Sequence, residues 1–197
     1  MDKELAQKLM EIKGECRGIT IKTDWDYIFR IKGREGVKKI EEKMAELGYP
    51  LKYEEIKTMD FYPIGYDAIS ILLIKEIFNF TEKDLENMGR EETKSSLFFR
   101  LLIRYLISLK TFAKEVPKTW KKHYTIGDLE ISEIDEKNKY AVLKLKDFSL
   151  HPEFCQILKG YFAETLKILT GASEVICKET KCTFKGDSEH EFYLTWK

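Results

Sequence analysis

Residues Ser149–Trp196 read SLHPEFCQILKGYFAETLKILTGASEVICKETKCTFKGDSEHEFYLTW, and this stretch decides the fold. Its first half is an amphipathic helix. Pro152 suits a first helical turn, where its missing N–H costs nothing. Phe154, Ile157, Leu158, Tyr161, Thr165, Leu166 and Leu169 then recur at three- and four-residue steps on one apolar face. Gly171 suits the left-handed C′ position that ends such a helix. Beyond it the apolar period becomes two, which predicts a β-hairpin turning about Gly186. The register expected from that turn sets Cys182 opposite His190, Thr180 opposite Phe192 and Ile176 opposite Trp196. Lys181 then faces Glu191 as an opposite-charge pair on the other side.

The hairpin carries the spaced pattern E-x-x-C-x-x-x-G-D-x-x-H-x-F, formed by Glu179, Cys182, Gly186, Asp187, His190 and Phe192. This pattern resembles the C-terminal hairpin of the 4-vinyl-reductase domain family, with His190 standing where that family usually has a second Cys. The resemblance implies a fold shared with haem–nitric-oxide-binding domains and with subunits of the TRAPP vesicle-tethering particle. It also implies a hydrophobic small molecule or haem held between helices and sheet, or an interaction scaffold.

The rest of the chain fits the same plan. Residues 2–13 and the run Val37, Ile40, Met44 and Leu47 have helical spacing, the second stopped by Gly48-Tyr49-Pro50. Ile19–Ile31 reads as irregular or short strand with aromatic anchors. A buried helix is expected over Tyr66–Phe80. Thr81 and Asp84 form a capping box for a helix that Gly89 would end. Residues 95–110 form the most apolar helix, and Pro117 is expected to break the segment before Trp120. From Tyr124 onward a second hairpin pairs Leu129 with Leu145 and Ile131 with Leu143, and on its outer face Asp128 with Lys146 and Glu130 with Lys144.

The expected class is therefore α+β. An N-terminal helical half packs on an antiparallel sheet of two hairpins joined by a long helix, ββαββ in order. Residues 1–197 read as a single domain, with 1–60 a subfamily-specific extension and 61–197 the matching region.

Composition narrows the function. An apolar content of 43% with 35% charged residues describes a globular chain, not a disordered one. Lys plus Arg equal Asp plus Glu at 34 each, so no global field recruits nucleic acid or an anionic membrane. Arg100 and Arg104 interrupt the longest apolar run, which is too short to span a bilayer. Four scattered cysteines without a C-x-x-C pair favour a reduced, cytoplasmic setting.

Cys182 and His190 are zinc-ligand types, yet a structural zinc site needs four donors. Only two come from the hairpin, and Cys177 is expected on its opposite face. His151, Cys155 or Asp187 would have to complete the set, so the pair is expected to be packed and hydrogen-bonded, with no metal. A redox or nucleophilic Cys182 would need exposure and an orienting group, which the aromatic Phe192 and Trp196 face argues against. Gly33-Arg34-Glu35-Gly36 resembles a backbone-clamping RNA loop but reads as a turn, leaving no nucleic-acid partner.

His123 is the position to watch for haem. The stretch Lys146–Ser149 lacks the Tyr and Arg of the propionate-holding motif in haem-binding relatives, so no cofactor is expected. No glycine motif for a hydride donor is present, so the chain is read as non-catalytic. The expected function is a sensory or regulatory domain with an apolar ligand cavity lined by Phe98, Leu102, Tyr105, Trp120, Phe154 and Tyr161. A homodimer or signalling partner follows from that role. The alternative is an adaptor module like the TRAPP subunits, without ligand.

Overall fold

The computed structural model describes residues 1–95 and 108–197, with the chain running from a helical half into a four-stranded sheet. The expected apolar helix over 95–110, with Phe98, Leu102 and Tyr105, lies almost wholly outside the described residues.

Helix α1 (Lys3–Met10) starts where the Asp2 carboxylate accepts the Leu5 N–H at 2.9 Å. A two-stranded ribbon follows, β1 (Glu15–Arg17) against β2 (Phe61–Pro63), with Cys16 opposite Tyr62. Between them runs α2 (Gly18–Leu47), 30 residues long and kinked at Gly33, where φ is 68° and ψ −170°.

The expectation of irregular chain over Ile19–Ile31 is thus corrected. Ile21, Trp25 and Ile28 are all fully buried at helical spacing. Their β-branched and aromatic character argued locally for strand, and burial of one helical stripe overrides that preference. The Trp25 indole N–H donates to the Ser70 hydroxyl at 3.0 Å, tying α2 to α3 (Gly65–Phe78). Gly33 alone makes the kink, and Gly36 lies within the continuing helix, so the Gly33–Gly36 stretch is not a separate loop.

The capping box forms as expected. The Asp84 N–H donates to Thr81 Oγ1 at 3.2 Å, and the Thr81 N–H donates to the Asp84 carboxylate at 2.8 Å. Helix α4 (Glu82–Ser95), however, runs straight through Gly89. A Cβ at Gly89 would lie 2.1 Å from the Ile157 carbonyl oxygen, and one at Gly160 1.9 Å from that of Glu86. Gly89 is therefore a site of close helix–helix approach, not a terminator.

Pro117 likewise lies inside α5 (Leu109–His123) and does not break it. That helix begins at Ser108, whose hydroxyl accepts the Thr111 N–H at 3.2 Å.

The sheet is antiparallel throughout, ordered β3-β4-β6-β5. Strands β3 (Asp128–Asp135) and β4 (Tyr140–Lys146) pair in the expected register, Leu129 with Leu145 and Ile131 with Leu143. Helix α6 (Glu153–Thr170) crosses back to β5 (Val175–Lys181), which turns into β6 (His190–Trp196). The α+β class and the ββαββ order hold. Residues of the first sixty positions, among them Ile21, Trp25, Ile40 and Met44, belong to the same buried cluster as Leu145, Phe162 and Phe192. No described helix is long and apolar enough to cross a membrane.

The final hairpin departs from its expected register. Lys181 does face Glu191, with Nζ 3.0 Å from Oε2, but a bulge between Glu179 and Lys181 shifts everything beyond it by one. Glu179 faces Phe192, Cys177 faces Leu194 and Val175 faces Trp196. Opposed residues share a face, so Cys177 and Glu179 point inward with the buried Phe192 and Leu194. Cys177 is thus on the core side, contrary to expectation. The pattern of alternation cannot reveal an extra residue, because each segment keeps its own period of two.

Candidate metal centre

The bulge places Glu179 where the sheet meets the start of α6. Cys155 lies in the first turn of that helix and turns into the same space. Cys182 follows β5, and its N–H donates to the Asp187 carboxylate at 2.8 Å across the Gly186 turn, where φ is 97°. His190 opens β6. One donor atom each from Cys155, Glu179, Cys182 and His190 lies within 4.8 Å of every other. Among the described residues no other set of three or more such donors converges in this way.

The distances suit a small tetrahedral ion. The two sulfurs are 3.9 Å apart, Cys155 Sγ is 3.8 Å from His190 Nδ1, and Nδ1 is 3.0 Å from Glu179 Oε1. Zinc bonds of ordinary length at tetrahedral angles put two thiolates about 3.8 Å apart and a thiolate about 3.6 Å from an imidazole nitrogen. Two thiols, one imidazole and one carboxylate form a donor set of the kind zinc takes. The His190 and Glu179 side chains are 2% and 9% exposed, so an ion here would be largely shielded from water.

Ring orientation is set from outside. His190 Nε2 lies 3.0 Å from the Phe148 carbonyl oxygen and 2.8 Å from the Thr183 hydroxyl, leaving Nδ1 to face the other donors. A metal-binding histidine typically uses its second nitrogen this way. Electrostatics divide the set. Burial pushes the Cys155 thiol up, with the hydrogen bond to and charge of Glu179 and the neighbouring Cys182 adding to it. Burial pushes the Glu179 carboxyl up as well, but hydrogen bonds from His190, Cys155 and Cys182 outweigh it and hold the group below the usual range. A cation at the centre would favour the thiolate forms that burial alone resists.

Of the three residues named to complete the pair, only Cys155 joins it. Asp187 holds the Cys182 backbone, and His151 accepts the Glu153 N–H on Nδ1 at 3.3 Å. Sequence reading missed Glu179 as a donor, although it sits three residues before Cys182 in the quoted pattern.

The residues expected to line a ligand cavity are only partly described. Trp120 and Phe154 are buried and meet through Phe148, whose ring stands 5.1 Å and 6.0 Å from theirs in edge-on contact. Tyr124 stacks on Trp120 at 4.6 Å. Tyr161 lies on the α4 side of α6, where burial and the Glu92 charge push its hydroxyl up to about 12. Phe98, Leu102 and Tyr105 lie outside the described residues.

His123 ends α5. Burial and the Arg17 and Lys122 charges keep its imidazole low and neutral.

No family model matches the sequence, and no curated protein matches it. Solved structures do match. An H-NOX protein from S. oneidensis in the Fe(II)NO ligation state superposes with a TM-score of 0.66 at 9% identity, over 92% of this chain and 99% of that one. A doubly substituted Tt H-NOX gives 0.66 at 12% identity, covering 92% and 95%. The Fe(II) unliganded H-NOX protein from K. algicida gives 0.61 at 14%, covering 92% and 96%. The chain has the fold of H-NOX proteins.

Proposed function

We propose that this chain is a sensory, small-molecule-binding domain on the H-NOX fold, in which a zinc ion fastens the final hairpin to helix α6. The observation that carries the reading is the convergence of Cys155, Glu179, Cys182 and His190 within one ligand sphere. Zinc here has no chemistry to perform. With four protein donors and little solvent access it is closed, as structural sites are. The resemblance of the Cys182–Phe192 hairpin to 4-vinyl-reductase domains belongs to this proposal. So does the apolar ligand site, to which Trp120, Phe154 and Tyr161 would contribute with Phe98, Leu102 and Tyr105.

Haem is the second reading, favoured by the fold, since the matching structures include Fe(II) H-NOX proteins. The described residues do not fit it. At the junction of α5 with the sheet the Trp120, Tyr124 and Phe154 rings each pack on Phe148. Of the three histidines, His190 belongs to the donor set and His151 caps its own helix. His123 sits beside two cationic side chains. No step is therefore derived through haem.

Native mass spectrometry of freshly purified protein separates the readings, since it reports metal, haem, organic ligand and subunit number together. One zinc per chain, lost in Cys182→Ser, is the expected result. A haem adduct, or a metal-free chain after purification without chelator, would overturn it. A ligand-free dimer would favour the adaptor reading.

A further inference from the structure

His190 stands between two regions of the fold. Its Nδ1 faces the donor set, 3.0 Å from Glu179 Oε1, and its Nε2 faces the Phe148 carbonyl oxygen at 3.0 Å. Phe148 belongs to the segment joining β4 to α6, next to Asp147, which holds a left-handed φ of 52°. Ser149 fastens the same segment to the hairpin, its hydroxyl 2.9 Å from that of Thr183. The Phe148 ring is 2% exposed and stands edge-on to Trp120 and Tyr124 at the end of α5, 5.1 Å and 5.4 Å away. Tyr124 in turn faces the buried Asp67 of α3, and burial and the Asp67 charge push its hydroxyl up. One backbone carbonyl thus joins the donor set to the helical half.

We propose that metal binding is transmitted to the helical half by the tautomer of His190, acting on the Phe148 carbonyl. The inference rests on the metal reading above. A neutral imidazole carries one proton. A metal on Nδ1 leaves that proton on Nε2, which donates it to the Phe148 carbonyl. Without metal, the Glu179 carboxylate beside Nδ1 draws the proton to that nitrogen. Nε2 then becomes an acceptor facing the lone pairs of the Phe148 oxygen, and the Thr183 hydroxyl donates to it instead. Attraction between Nε2 and the carbonyl is thereby replaced by repulsion.

The left-handed Asp147 backbone next door is a conformation that surrounding contacts must sustain. Releasing the carbonyl lets the segment relax and carries the Phe148 ring away from Trp120. Linkage makes the effect reciprocal. Whatever displaces the Trp120–Phe148 contact, a ligand included, changes metal affinity by the same factor.

The test uses the full chain with nitrogen-15 label and His123→Asn and His151→Asn, so that only His190 reports. Zinc-loaded protein should show the proton on Nε2, and chelated protein should show it on Nδ1. The Trp120 indole N–H signal, assigned by its loss in Trp120→Phe, should shift with the tautomer. Trp120→Phe should also change zinc affinity by about fivefold or more. A proton on Nε2 in both states would overturn the inference, as would a tautomer change that leaves the Trp120 signal and its variant's affinity unmoved. Cobalt titration of the same sample isolates the underlying reading. Absence of thiolate-to-cobalt bands would remove the metal site and this inference together, whereas bands without the Trp120 response would remove the inference alone.

Discussion

Thr183 touches the ring nitrogen of His190 that faces away from the donor set, at 2.8 Å, and contributes no donor itself. Thr183→Val removes the hydroxyl that donates to Nε2 only in the metal-free state, so it should tighten zinc binding by about fivefold or more. Competition with a chromophoric chelator measures this directly. A second residue-level feature lies in the helical half, where Asp24 and Asp67 are buried and hydrogen-bonded to one another beside Glu92. Burial and the neighbouring carboxylates push both aspartates well up, and burial pushes Glu92 up to about 7. Each group holds its proton more tightly folded than unfolded. Their contribution to stability is complete below about pH 4 and is lost as pH rises through the folded values, about 7 for Glu92. Melting temperature, measured with chelator present, should fall from mildly acidic to mildly alkaline buffer. Asp67→Asn should flatten that slope, and an unchanged slope would count against it.

Among the elements, α4 and α6 make the tightest crossing, through Gly89 and Gly160. A Cβ at Gly160 would meet the Glu86 carbonyl oxygen at 1.9 Å, and backbone cannot swing aside as a side chain does. Gly160→Ala should cost about 1–3 kcal/mol or more in urea unfolding, as overpacking does. Gly171, the C-cap of α6, offers the contrast. Open space surrounds it but its φ is 68°, so Gly171→Ala should cost about 1–2 kcal/mol from conformation alone. Equal and negligible effects at both sites would contradict the crossing.

The fold is that of H-NOX proteins, whereas the described interior at α5 is occupied by aromatic side chains. Reconstitution with haem should give no Soret band. A band lost in His123→Ala would reverse that conclusion. Removing zinc should leave the protein folded but less stable. With zinc at about one hundred times its Kd, mass action contributes about 2.7 kcal/mol, and a chain of this size should lose roughly 5–10 °C in Tm on chelation.

The sequence by itself determined the parts ruled by local chemistry. The Thr81–Asp84 cap, the span of α6 with its Gly171 stop and the β3–β4 register were legible because each depends on residues near one another in the chain. The α+β order followed from the change of period at Tyr124 and Gly171. Tertiary structure decided what local signals left ambiguous. Burial on one stripe made a helix of Ile19–Ile31, and backbone contact made a crossing point of Gly89. The donor set needed both kinds of information. Cys182 and His190 were visible as a facing pair, but Cys155 lies on another element and joins them only when α6 docks on the sheet. Glu179 points inward because a one-residue bulge reverses the alternation. A bulge leaves no mark in the period of either segment, so only the folded sheet could reveal the fourth donor.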